Sequence, residues 1–142
     1  MAGFAVAWLL ETRVARIRLV GGSASTLPLE VVGMVLVALG MALAAWGMLV
    51  FVRARTAIYP NRPASRVVRH GPYRFTRNPM YVGMTAAYAG VALALNLGWP
   101  FVLLPLVLFA LVRLVIRREE RYLAQAFGAD YDAYRARVRR WL

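Results

Sequence analysis

The chain contains no cysteine and no lysine, only six acidic residues and a single histidine, His70. Without cysteine, disulfides, thiolate nucleophiles and Cys-ligated metals are excluded. One histidine gives a zinc site too few donors, and no metal is expected. No Gly-x-Gly loop of the kind that joins a strand to a helix is present, so a Rossmann cofactor site is not on offer. What the chain does have is apolar side chains, 61% of its 142 residues, too many for a soluble domain of this size. The sequence therefore predicts an all-α integral membrane protein. A bundle of a few spanning helices uses nearly all of the length, giving one domain over residues 1–142. Any activity must be built on the membrane helices and their short connections.

The basic residues are 18 arginines, and the net charge is +12. On a soluble protein such a charge would suggest nucleic acid. Beside apolar spans, arginines set topology and contact membrane lipids, so no nucleic-acid partner is expected. Residues 31–52 carry no charge over 22 positions, enough to cross a hydrocarbon core of roughly 30 Å. A span over 27–52 is predicted. Gly33, Gly40 and Gly47 fall seven apart and share one helix face with Ala44 beside them, a pattern that lets another helix approach closely.

Residues 80–112 are uncharged for 33 positions, too long for one span, and Asn96, Gly98, Trp99 and Pro100 interrupt them. Two helices in a hairpin are predicted over 79–116, with arms at 79–95 and 99–116. Asn78 can cap the first arm and Pro79 suits its first turn. Residues 53–77 hold seven arginines and no acid, and residues 113–142 hold eight, so both segments are expected to face the cytoplasm. The N-terminal ten residues form a short apolar run followed by Glu11, Arg13, Arg16 and Arg18. This is expected to be a short tilted or interfacial helix, with 21–26 as a loop, and its three arginines oppose the topology set by the others. After Ile116 two amphipathic helices are expected, broken at Gly128, the second capped by Asp130 and carrying Tyr131, Tyr134, Val138 and Trp141 on one face. Their simplest role is to anchor the chain on the membrane surface. The expected fold is thus about three transmembrane helices, a short N-terminal helix and a C-terminal amphipathic segment over 117–142.

The run from Arg69 to Gly83 (RHGPYRFTRNPMYVG) is dense in polar, aromatic and turn residues and leads directly into a span. Gly71-Pro72 and Asn78-Pro79 force bends around Tyr73, Arg74 and Arg77, and the first amides of the next helix suit an anion. Gly83 removes side-chain bulk one turn further on. An ordinary interface loop would share some of these features. Glu119 and Glu120, adjacent carboxylates among arginines, either pair with Arg117, Arg118 or Arg121, or meet a ribose diol or a cationic ligand. S-adenosylmethionine offers both of the latter.

The Gly-Pro-Tyr-Arg-x-x-Arg-Asn-Pro-Met-Tyr-x-Gly run from Gly71, the Glu119-Glu120 pair and the Phe127-Gly-x-x-Tyr-x-x-Tyr-x-x-Arg-Val stretch resemble the isoprenylcysteine carboxyl methyltransferase and phospholipid methyltransferase superfamily. Upstream, Phe51-Val52-Arg53-Ala54-Arg55-Thr56 and Pro60-Asn61-Arg62-Pro63 look like the connector of its small bacterial members. The resemblance implies a bacterial inner (plasma) membrane enzyme that binds S-adenosylmethionine in a pocket closed by the C-terminal segment, while a lipophilic acceptor arrives through the bilayer. By position it assigns Tyr73, Arg77, Asn78, Pro79, Tyr81 and Gly83 to a first cofactor-contacting motif and Glu119 and Glu120 to a second, with Tyr131, Tyr134 and Arg137 closing the site. Eukaryotic members show histidine where this chain has Asn78, so an imidazole role does not transfer.

Methyl transfer from a sulfonium is an in-line displacement in which positioning and desolvation supply most of the protein's contribution. A carboxylate acceptor needs no base and could be held by Arg74, Arg77 or Arg137. A phenolic hydroxyl, thiol or amine acceptor would benefit from deprotonation, for which His70 or a glutamate is available, although His70 reads first as a surface residue. Two other classes stay open on the residues: a non-catalytic membrane module that recruits a partner along its glycine face, and a membrane reductase using a nicotinamide cofactor. The oligomeric state is left open.

Overall fold

The structure, a computed structural model, describes residues 2–13, 17–21, 25–54 and 67–142. The connector residues Arg55, Thr56 and Pro60 to Pro63, singled out in the sequence, lie outside the described residues, as does Arg16. Among those described, the order is α1 (Ala2–Arg13), α2 (Leu27–Arg53), a 3₁₀ turn (Gly71–Arg74), α3 (Pro79–Ala94), α4 (Trp99–Leu111), a π turn (Val112–Ile116), α5 (Arg117–Phe127) and α6 (Ala129–Arg137), with no strand among them. The expected all-α architecture is what forms.

Among the described residues, two helices are long and apolar enough to cross a membrane: α2, and the continuous helix from Trp99 to Phe127. At 1.5 Å per residue these reach about 40 Å or more. The 16 residues of α3 reach only about 24 Å, short of a full hydrocarbon core. Outward-facing Val31, Val35 and Leu39 of α2 are more than half exposed, as a lipid-facing helix side requires.

The glycine face of α2 meets α3, which runs antiparallel to it. A methyl placed on Gly33 would lie 2.6 Å from the Gly90 carbonyl oxygen, and one on Gly90 equally close to that of Gly33. Gly40 and Gly83 repeat this reciprocal arrangement one seven-residue step along, and Gly47 closes the row against Met80 and Pro79. Backbone thus touches backbone at the Gly33–Gly90 and Gly40–Gly83 crossings, and a side chain at any of these four positions would force the helices apart.

At the hairpin tip Asn96 adopts φ +52°, a left-handed conformation that asparagine tolerates. Its side chain also ties down the N-terminal segment: the Val20 amide donates to Oδ1 (2.9 Å) and Nδ2 donates to the Val20 carbonyl (2.8 Å). The Gly98 amide donates to the Ile17 carbonyl at 2.6 Å. From there α1 lies along α4, with Gly3 against Val107 and Ala7 buried. The short N-terminal helix expected from the sequence is present, and Arg18 sits at the tip end, between Ile17 and Val20, which bond Gly98 and Asn96.

Four local expectations are corrected. The second hairpin arm does not stop at Ile116; it passes through the π turn into α5, because nothing in Val112 to Arg118 breaks a helix. Asn78 makes no side-chain cap on α3, its amide group being engaged elsewhere. Nor does Asp130 cap α6, which begins after Gly128 at φ +48°; Asp130 lies inside the first turn and meets Arg69. In addition α6 ends at Arg137, and Val138 is extended, so Val138 and Trp141 belong to a non-helical tail instead of the Tyr131–Tyr134 helix face.

Candidate active site

Three segments distant in sequence meet at the end of the α2–α3 pair remote from the hairpin tip: the loop entering α3, the start of α5, and α6 with its tail. The loop is built on Pro72, which is fully buried, and on Tyr73, whose ring packs among Val50, Ala54 and Val68 and lies 5.5 Å from that of Phe51. Gly71 turns the chain at φ +62°, a conformation that costs glycine little. The loop is thereby fixed to the end of α2 before it reaches Thr76, Arg77 and Asn78.

The tail of the chain then lies across these three residues. The Arg77 amide donates to the Arg139 carbonyl (2.9 Å), while the Thr76 hydroxyl (2.9 Å) and the Asn78 side-chain amide (3.0 Å) both donate to the Arg140 carbonyl. Thr76 and Asn78 are buried, so these bonds satisfy polar groups with little access to water. One segment earlier, the buried Tyr134 hydroxyl donates to the Tyr73 carbonyl at 2.8 Å, and the Arg69 guanidinium donates to the Asp130 carbonyl at 2.8 Å.

From the opposite side α5 delivers its two carboxylates, and the structure gives them different partners. Glu119 accepts from the Tyr81 hydroxyl at 2.8 Å. Glu120 is held by Arg140, with Nε 3.0 Å from Oε1 and Nη2 2.6 Å from Oε2, and is also 3.0 Å from Arg77 Nη1. The local pairing of the glutamates with Arg117, Arg118 or Arg121 that the sequence allows is thus replaced by partners from α3, its entry loop and the tail.

The tyrosines here are neutral hydroxyls. Burial pushes Tyr73 well above the ordinary phenol range, and neighbouring Tyr134 and Glu119 act in the same sense. Burial, reinforced by Tyr131, pushes Tyr134 up to about 12. Burial also raises Tyr131, against the opposing pull of the Arg77 guanidinium beside it. They can donate hydrogen bonds but cannot serve as tyrosinate bases near neutral pH. The hydrogen bond to Glu120 raises Arg140, strengthening its claim to a permanent charge.

Of the residues singled out in the sequence, Tyr73, Arg77, Asn78, Tyr81, Glu119, Glu120, Tyr131 and Tyr134 converge here. Arg74, Arg137 and His70 are exposed at the surface, outside this network. Gly83 makes room for α2, not for open space: a methyl there would collide with the Gly40 carbonyl. Pro79 is likewise buried against Gly47. Two participants were missed. Thr76 sat unremarked inside the motif, although a threonine two residues before Asn-Pro is a natural backbone-bonding side chain. Arg140 carried no signal to separate it from the seven other arginines after residue 112.

A family model described as phospholipid methyltransferase matches residues 29–130. No curated protein and no solved structure matches the chain. The matched stretch takes in the glycine row, the loop entering α3 and both glutamates, and stops just before Tyr131. With more than two thirds of its length matched, this membrane-associated chain belongs to the phospholipid methyltransferase family.

Proposed function

We propose that the chain is an S-adenosylmethionine-dependent methyltransferase of the isoprenylcysteine carboxyl methyltransferase type, acting on a carboxylate, hydroxyl or thiol of a lipophilic acceptor. The observation that carries this reading is the meeting of the loop entering α3 with the Glu119-Glu120 pair at one end of the bundle, in a chain of this family. The residues present fit such a cofactor. Arg77 has Nε and Nη1 buried without a well-aligned hydrogen bond among the described residues, although Nη1 lies 3.0 Å from Glu120, and these donors could serve a ligand carboxylate. Glu119 has one oxygen engaged by Tyr81, so its carboxylate is oriented while retaining capacity to accept from an ammonium or a ribose hydroxyl.

When bound, S-adenosylmethionine supplies a methyl group on a sulfonium sulfur, an electrophile whose transfer leaves the neutral thioether. The protein's share is positioning and exclusion of water. Arg77 orients an anionic group, Tyr81 fixes Glu119, and the tail across residues 76–78 shields the loop from solvent. A carboxylate acceptor needs no proton removed. For a hydroxyl or thiol, Glu119 is the carboxylate placed to accept the proton. The arginine excess in 53–77 and 113–142 supports a cytoplasmic position for this end, where a water-soluble cofactor is supplied. The glycine face that a partner-recruiting module would need is consumed between α2 and α3.

The test is calorimetric titration of S-adenosylhomocysteine into the protein in lipid nanodiscs. Binding is expected, weakened about tenfold or more by Glu119→Ala, the scale of one charge-assisted hydrogen bond. Folded protein that binds neither S-adenosylhomocysteine nor S-adenosylmethionine overturns the reading. Labelled S-adenosylmethionine with a host lipid extract, followed by mass analysis of the methylated product, then identifies the acceptor.

A further inference from the structure

Glu120 is shared unequally between two arginines. Arg140 engages both carboxylate oxygens with Nε and Nη2, the planar fork that matches a carboxylate best. Arg77 approaches one of the same oxygens at 3.0 Å, yet neither its Nη1 nor its Nε directs a hydrogen bond at an acceptor among the described residues. Two guanidiniums against one carboxylate leave one positive charge in excess. Of the two, Arg77 is the more buried, its side chain 11% exposed against 33% for Arg140. The ion pair with Glu120 offsets part of the cost of burying the Arg77 guanidinium, and donors without an aligned acceptor leave the rest uncompensated.

The backbone explains why Arg140 takes the larger share. Its carbonyl is held by Thr76 and Asn78, and the preceding carbonyl by the Arg77 amide, so Arg140 is registered against the same three residues that carry Arg77. Without Arg140, Arg77 is the guanidinium left within ion-pair distance of Glu120 among the described residues.

We propose that Arg140 is a positioning residue: by holding Glu120 it reserves the Nε and Nη1 donors of Arg77 for a ligand carboxylate, and so makes the site selective for ligands that carry one. The proposal rests on the reading above in that the ligand is the cofactor or the acceptor of a methyl transfer. The carboxylate could belong to either, and two probe pairs separate the sources. One pair is S-adenosylhomocysteine and its decarboxylated amine analogue; the other is oleate and oleyl alcohol.

Titrations in nanodiscs are expected to show wild-type protein preferring the carboxylate member of at least one pair by about tenfold or more. Arg140→Ala should abolish that preference by lowering affinity for the carboxylate member to that of its partner. Arg140→Lys should retain part of it, since a single ammonium cannot grip both oxygens. The decisive variant is Arg140→Ala combined with Glu120→Gln. Removing the charge that would capture Arg77 should restore the preference, whereas a merely structural Arg140 would make the double variant at least as poor as the single one. Absence of a carboxylate preference in both wild-type pairs, loss of both members of a pair together in Arg140→Ala, or failure of the double variant to recover, each overturns the proposal. If neither adenosyl compound binds but the oleate preference follows Arg140 as described, this inference stands and the cofactor assignment falls.

Discussion

α3 meets the rest of the protein in two unlike ways. Along its length it touches α2 through glycine, backbone against backbone, with no side-chain polarity involved. At its N-terminal end it touches α5 and the tail through hydroxyls, carboxylates and guanidiniums. The first contact sets position by exclusion, since any added atom collides. The second sets orientation by direction, since each polar atom must point at its partner. A seam of the first kind gives the rigid base on which a network of the second kind keeps its geometry.

The contrast is broken most sharply at the seam. Gly40→Leu places a side chain where the Gly83 carbonyl and Ala87 amide already lie, and is expected to lower stability by about 3 kcal/mol or more, read as the unfolding midpoint in detergent titration. Tyr134→Phe leaves the Tyr73 carbonyl without its buried donor and should cost about 1–2 kcal/mol by the same measurement. It should also flatten an alkaline effect. Because the folded hydroxyl titrates near 12 and the unfolded one near 10, wild-type stability should fall between those pH values as the unfolded chain releases the proton first. Asn78→Ala removes one of two donors to the Arg140 carbonyl and should cost about 1 kcal/mol. Arg69→Ala breaks an exposed pair with Asp130, and its effect is expected to stay at or below about 0.5 kcal/mol. A seam variant milder than the network variants would reverse the assignment of the two roles.

How far each region could be read from the sequence follows the same division. Seven-residue glycine spacing is a periodic signal, so the face of α2 was legible, although its partner helix was not. Gly83 shows the cost of that gap: read beside a polar motif it suggested an approaching ligand, while the α2 register makes it the counterpart of Gly40. The convergence of Tyr81 with Glu119 depends on two helices meeting, which motif resemblance could suggest but spacing could not. Arg140 was illegible because its role comes from a carbonyl held 62 and 64 residues away, and nothing local distinguishes one arginine among many. Asn78 was read as a cap from a reliable local preference, and a tertiary partner won its side chain instead.

The π turn at Val112–Ile116 acts as a phase shifter within a single helix. Fitting one additional residue into the turn rotates everything beyond it by roughly 100° relative to an uninterrupted α-helix. The apolar stretch from Trp99 and the charged stretch from Arg117 therefore need not share one stripe. The first can keep the orientation the bilayer selects, while the second aims Glu119 and Glu120 at α3 and the tail. One helix thus serves two surroundings with independent bearings.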